Sequence, residues 1–370
     1  MASLENQQWL VILVIGVVMA ITLSATGVEA QGKKTPATFI FGDSLVDVGN
    51  NNYIFTLAVA DHKPYGIDRA DKVPTGRFCN GKIIPDLVND YLGTPYPLPV
   101  LAPEATGANL LHGVNYASAG AGILEDTGSI FIGRVTISQQ FGYFQKTKQQ
   151  IELIIGQPAA DELIHNAIYS FTVGGNDFVN NYMAVTTSTS RKYTPSQYQD
   201  LLINNFHGQL KTAYGLGMRK FIVSNMGPIG CAPSVLSSKS QAGECVQEVN
   251  NYALGFNAAL KPMLQSLQAE LPGSIFIYAN AFDIVRGIIA DPLKYGFTEP
   301  VTTACCGAGQ YNGIDGSCRT IGHLCPDRTK SVFWDAFHPT EKVNKICNDQ
   351  FLHGGLDAIS PMNVAQLLAM

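Results

Sequence analysis

An α/β fold, with a parallel sheet covered by helices on both faces, is what the sequence predicts. Two observations carry that reading. Five short runs rich in β-branched and aromatic residues recur at 38–41, 113–117, 168–173, 221–224 and 274–278, and each reads as a buried strand. Helical patterns lie between most of them, and strand alternating with helix argues for parallel pairing. The chain has 370 residues, 46% of them hydrophobic, enough for one large α/β core.

Residues 9–23 are almost wholly apolar, a stretch of 15 residues that is short for a bilayer span. Small residues follow, and Val28-Glu29-Ala30 fits a small-x-small cleavage site. We therefore expect a secretory leader at 1–30 and a single domain at 31–370, with no stable membrane insertion once the leader is gone. The leader lacks Lys and Arg and carries Glu5, so a retained anchor is the alternative. Eight cysteines suit an oxidising route, and Cys231 is expected to close on Cys245. No Asn-x-Ser/Thr sequon occurs.

The first strand stops at Gly42, and Ser44 follows two residues later. A strand that ends in a glycine turn holds a hydroxyl at the carboxyl edge of the sheet, where open α/β folds place their sites. The second strand leads into Asn115-Tyr116-Ala117-Ser118-Ala119-Gly120-Ala121-Gly122, and the third into Gly174-Gly175-Asn176-Asp177. Glycine allows close backbone approach, and an Asn amide can donate to a developing oxyanion. Thr194, Pro195 and Gln197 open a helix that Gly215 and Gly217 stop. The longest helical pattern covers 244–271, and Pro262 is expected to kink or split it. Residues 180–194 read as a surface loop or a rim.

Residues 299–330, with four cysteines and many glycines, read as a disulfide-stapled surface insertion. The spacing lacks paired C-x2-C knuckles, so zinc is not expected. Beyond it Asp335 and His338 stand three apart, on a turn ahead of a helix expected to carry Pro339 at its first position. An Asp there can reach the Nδ1 of the histidine, fix its tautomer and leave Nε2 free for a hydroxyl proton. Net charge is −5 with no basic block, so nucleic acid is not an expected partner. G-x-S-x-G, G-x-G-x-x-G and H-E-x-x-H are all absent, which removes the ordinary hydrolase elbow, the dinucleotide fingerprint and the zincin helix.

Phe41-Gly42-Asp43-Ser44-Leu45, Asn115-Tyr116-Ala117-Ser118, Gly174-Gly175-Asn176-Asp177 and Asp335-Ala336-Phe337-His338-Pro339-Thr340 resemble the four ordered blocks of the GDSL esterase/lipases, the plant secreted branch of the SGNH hydrolases. Pro64-Tyr65-Gly66, Asn80-Gly81 and Ala304-Cys305-Cys306-Gly307 agree. The resemblance implies a flavodoxin-like three-layer α/β/α sandwich around a mostly parallel five-stranded sheet. It implies Ser44 as nucleophile, His338 as base then acid, and Asp335 as its orienter. The oxyanion hole it implies is the Ser44 N–H, a glycine and the Asn176 side chain. Gly120 and Gly122 both offer themselves, and Gly122 is the choice on the family pattern.

Asp43 and Asp47 read as turn and loop formers, and Arg77 as a structural residue bonding loop carbonyls. Cys79 and Cys347 either pair or remain buried thiols. The expected function is a secreted serine esterase or lipase of the apoplast or cell wall, needing no metal or organic cofactor. Its partner is a small-molecule or polymer-borne ester. An acyltransferase on the same serine and a catalytically silent binding protein are the alternatives.

Overall fold

The computed structural model describes residues 36–320 and 322–370; the leader expected at 1–30 lies outside them. Its strands are β1 (Thr38–Gly42), β2 (Leu98–Pro99), β3 (Val114–Asn115), β4 (Ile168–Thr172), β5 (Lys220–Ser224), β6 (Ile275–Ala279), β7 (Cys306–Gly307), β8 (His323–Leu324) and β9 (Ile359–Ser360). The main sheet runs in the order β2-β3-β1-β4-β5-β6-β9. Pairing is parallel from β2 to β6 and antiparallel at β9. All five expected strands are present. The sheet is seven-stranded rather than five because two-residue segments, too short to show as apolar runs, pair with each edge.

The chain goes from β1 to β3 on one side, then crosses to β4 on the other. This is the flavodoxin-like order, and its reversal opens a crevice at the carboxyl end of β1. Gly42 ends that strand with φ +148°, and a Cβ there would stand 2.1 Å from the Thr172 carbonyl oxygen. Asp43 N–H donates to that same oxygen at 3.0 Å. Glycine is therefore required for β1 to turn away while still touching β4.

The main helices are α1 (Ile84–Leu92), α2 (Ile137–Ile155), α3 (Gln157–Asn166), α4 (Pro195–Gly215), α5 (Gln247–Glu270), α6 (Ala281–Ala290) and α7 (Glu341–His353). α2 to α5 pack on one face of the sheet, while α6 and α7 pack on the other. Thr194 caps α4 as expected: it accepts from Gln197 N–H at 3.3 Å, and the Gln197 side chain accepts from Thr194 N–H at 2.9 Å. α5 runs on through Pro262 instead of splitting. Buried Val249, Phe256, Leu260 and Leu267 anchor it on both sides of the proline.

Cys231 pairs with Cys245, while Cys79 and Cys347 are free, buried thiols. The 299–330 segment is stapled by two disulfides as expected, and most of it lies at the surface around a buried cysteine centre. Its Cys305–Cys325 and Cys306–Cys318 bridges are buried with Trp334 and Tyr65. Cys305 and Cys306 N–H donate to the carbonyls of Phe333 and Trp334 at 2.9 and 2.7 Å. Through these bonds the buried cysteine part of the segment also supports the residues that lead into the Asp335–His338 turn. Arg77 also differs from expectation: its guanidinium clamps buried Asp86 at 2.7 and 2.8 Å and reaches one carbonyl, Val48, at 3.1 Å.

Gly42→Ala is expected to lose about 2–4 kcal/mol of unfolding free energy through backbone strain and the Thr172 clash. Denaturant titration measures this, and an unchanged midpoint would contradict the close approach.

Candidate active site

Ser44, Asp335 and His338 meet at the carboxyl edge of β1. His338 Nε2 lies 2.8 Å from Ser44 Oγ. His338 Nδ1 lies 2.7 and 2.9 Å from the two Asp335 oxygens. The Asp335 carboxylate also accepts the N–H groups of Phe337 and His338 at 2.9 and 2.8 Å. Tyr65 O–H donates to its other oxygen at 2.8 Å. A carboxylate held by four groups cannot swing, and it fixes the imidazole through Nδ1. Asp335 and His338 are buried, while Ser44 is half-buried. The helix that follows starts at Glu341 with Thr340 as its cap, so Pro339 lies before it rather than at its first position.

Electrostatics follow from that packing. Burial by itself would raise the pKa of Asp335, but the His338 charge, the His338 ring N–H and two backbone N–H groups hold it below the usual carboxylate range. Burial would lower the His338 pKa. The Asp335 carboxylate, with Asp43 and Asp315, outweighs burial and raises it above the ordinary histidine value. Asp43, Asp47 and Asp177 lie buried beneath the site, and burial pushes them up to about 7, about 6 and about 6.

Those three carboxylates tie the loops together. Asp43 accepts Leu45 N–H at 3.0 Å, shaping the serine turn. Asp47 accepts the N–H groups of Gly49 and Asn50 at 2.7 Å and that of Ala119 at 3.1 Å, joining this turn to the loop after β3. Asp177 accepts Ile123 N–H, Leu124 N–H and Thr127 O–H at 2.7–3.0 Å. It therefore binds the same loop to the turn after β4. The sequence reading of Asp43 and Asp47 as turn and loop formers matches this geometry.

Asn176 sits on the turn after β4 and lines the cavity with Ser44. Asn180 Nδ2 donates to its Oδ1 at 2.6 Å, and its own Nδ2 donates to the Ala121 carbonyl at 2.9 Å. One Nδ2 hydrogen is then left for a ligand. Gly120 lines the same cavity, whereas Gly122 does not. Gly122 lies behind, where a Cβ would meet Thr127 at 2.3 Å and the Asp177 carboxylate at 2.7 Å. Of the two glycines expected for an oxyanion hole, Gly120 is therefore the one that borders the cavity and Gly122, the choice on the family pattern, is the one packed behind it. Residues 180–194 carry a short helix at Thr189–Lys192, and Thr189 O–H donates to Asn181 at 2.7 Å. This segment reaches the cavity through Asn180.

Sequence reasoning missed Tyr65, Asp177 and Asn180 as supports. Their partners lie 270, 50–54 and 4 residues away; the last, an Asn at i+4 on a helical turn, was a readable signal.

A serine, a histidine and an aspartate chained by hydrogen bonds at the crevice of a doubly wound sheet define a serine hydrolase. The GDSL-like lipase/acylhydrolase family model matches residues 38–351. GDSL esterase/lipase LTL1 of Arabidopsis thaliana is 44% identical over 338 residues, covering 91% of this chain and 92% of the relative. GDSL esterase/lipase 7 of the same plant is 43% identical over 337 residues, covering 90% and 92%. The chain belongs to the GDSL esterase/lipase family and is a carboxylic ester hydrolase.

The His338 pKa, read by NMR titration of its ring, is expected above the ordinary histidine value and is expected to fall in Asp335→Asn, where burial is opposed only by the smaller effects of Asp43 and Asp315. An unmoved value would contradict the dominance of Asp335.

Proposed function

We propose that the protein hydrolyses lipid or acylated cell-wall esters through an acyl-enzyme on Ser44. The observation that carries this reading is the 2.8 Å contact between His338 Nε2 and Ser44 Oγ, with Asp335 on the far side of the ring. His338 takes the Ser44 proton as Oγ attacks the ester carbonyl. The C–O bond to the alcohol then breaks, and His338 returns the proton to the leaving oxygen. Water repeats the sequence on the acyl-enzyme and releases the acid.

The tetrahedral oxyanion takes N–H groups from Ser44 and Gly120 and the free Nδ2 hydrogen of Asn176. Both backbone N–H groups are unspent on other protein groups among the described residues. Three disulfides support a secreted protein, as does the leader expected at 1–30. Among the described residues, no helix is long and apolar enough to cross a membrane.

Ser44→Ala is expected to abolish p-nitrophenyl butyrate hydrolysis while leaving the thermal transition in place. Substantial turnover in that variant would sink the assignment. Asn176→Ala is expected to lower kcat by roughly 10²–10³ with a smaller change in KM, the signature of a group serving the transition state. Gly122 is expected to matter for folding and Gly120 for turnover. Circular dichroism of Gly122→Ala beside steady-state kinetics of Gly120→Ala separates the two.

A further inference from the structure

The two faces of the central sheet are packed in different ways. On one face Phe41 stacks between Tyr116 and Phe171, and Phe221 stacks on Phe276. One continuous core joins these rings to α2 through α5. On the other face the register places Ile40, Ser170, Ile222 and Ile277 in a single row. Buried side chains around this face fall into separate clusters instead of one core. Ser170, Thr172, Ile222 and Ser224 stay half-buried although their strands are central and α6 and α7 cover them. Ser170 is a notch between two isoleucines. The space it leaves is the inner part of the cavity that opens at Ser44, with Val343, Cys347 and Phe351 of α7 as the opposite wall.

We propose that this hollow is an acyl-chain site: the chain of an ester bound at Ser44 runs back between the sheet and α7. The proposal rests on Ser44 being the nucleophile. The lining extends along β1 from Ser44 to Thr38. The strand from Gly42 back to Thr38 alone gives a run of about 13 Å, the length of an extended chain on the order of ten carbons. The whole cavity is about 590 Å³, within the range of small-molecule sites. Charged lining residues, including Asp43, Asp315, Arg319 and Asp335, belong to the loops around Ser44 and His338 rather than to the strands or α7. Among the described residues none lines the strand and α7 walls, where the polar groups are neutral. Thr38 already donates to Asn89, the half-buried Ser170 and Thr172 hydroxyls line the hollow, and among the fully buried side-chain oxygens of these walls only Asn348 Oδ1 lacks a partner. A sugar or a charged headgroup finds little there to replace its water. A hydrocarbon chain gains by leaving water, by roughly fourfold in binding per buried methylene. Exposed Leu45, Leu57 and Ile130 at the mouth continue the apolar path outward.

p-Nitrophenyl esters from acetate to palmitate test this on the full secreted chain. The wild type is expected to raise kcat/KM at least tenfold from acetate to decanoate and to gain nothing further beyond about the length of the hollow. Ser170→Leu fills the notch from the sheet side and Cys347→Phe fills it from α7. Either folded variant is expected to lose at least tenfold on decanoate and less than twofold on acetate, while Ser170→Ala keeps the wild-type profile. A flat wild-type profile, or decanoate turnover unchanged in a folded filling variant, overturns the acyl site and leaves Ser44 hydrolysis standing. Acetate turnover that survives Ser44→Ala overturns the reading beneath it.

Discussion

The hydrogen bond from Ser44 to His338 joins side chains 294 residues apart, and most of the fold can be read as the means of holding its two ends. One end is set by β1, gripped by β3 and β4 and turned at Gly42 against the Thr172 carbonyl. Gln140 adds a second grip, accepting Gly42 N–H at 3.0 Å and donating to its carbonyl at 2.9 Å. The other end stands on a loop, where mobility is the default. Two disulfides, Tyr65 and the carboxylate of Asp335 remove that freedom. A contact that must hold to a few tenths of an ångström is thus supported by covalent and hydrogen-bonded groups.

Buried carboxylates set the character of the site. Asp43, Asp47 and Asp177 lie out of water, a cost met by backbone N–H and hydroxyl donors. They act as knots between loops. Asp335 differs because a titrating partner faces it, and the interaction pulls the two pKa values apart. A raised His338 pKa keeps the imidazole basic enough to draw the serine proton, and it places the acid limit of activity above that of a free histidine.

The strands, the α4 cap, the Cys231–Cys245 bridge and the Asp335–His338 pair were legible, because each rests on local chemistry: a β-branched run, a Thr-Pro-x-Gln start, a short loop, a turn that brings Asp to His; Ser44 was joined to that pair by the family resemblance. What was hidden depends on distant partners. Two-residue edge strands exist through their neighbours. Asp335 finds Tyr65 through the fold, 270 residues away. Gly120 and Gly122 differ by which way the loop faces, which spacing cannot tell. The support that the cysteines of the insertion give the catalytic turn appears when Cys305 and Cys306 meet Phe333 and Trp334.

The asymmetry of the sheet was present in the strands as alternation: Phe39 and Phe41 against Thr38 and Ile40, Tyr169 and Phe171 against Ser170 and Thr172. Large rings fill one side, and small side chains leave a hollow behind the serine on the other. Both the chemistry and that hollow require an activated Ser44, so the most direct measurement is reaction of the folded protein with a fluorophosphonate probe and mapping of the adduct by peptide mass. The account predicts an adduct on Ser44 that is lost in His338→Ala. An adduct on another residue, or a folded wild type that does not react, would contradict it.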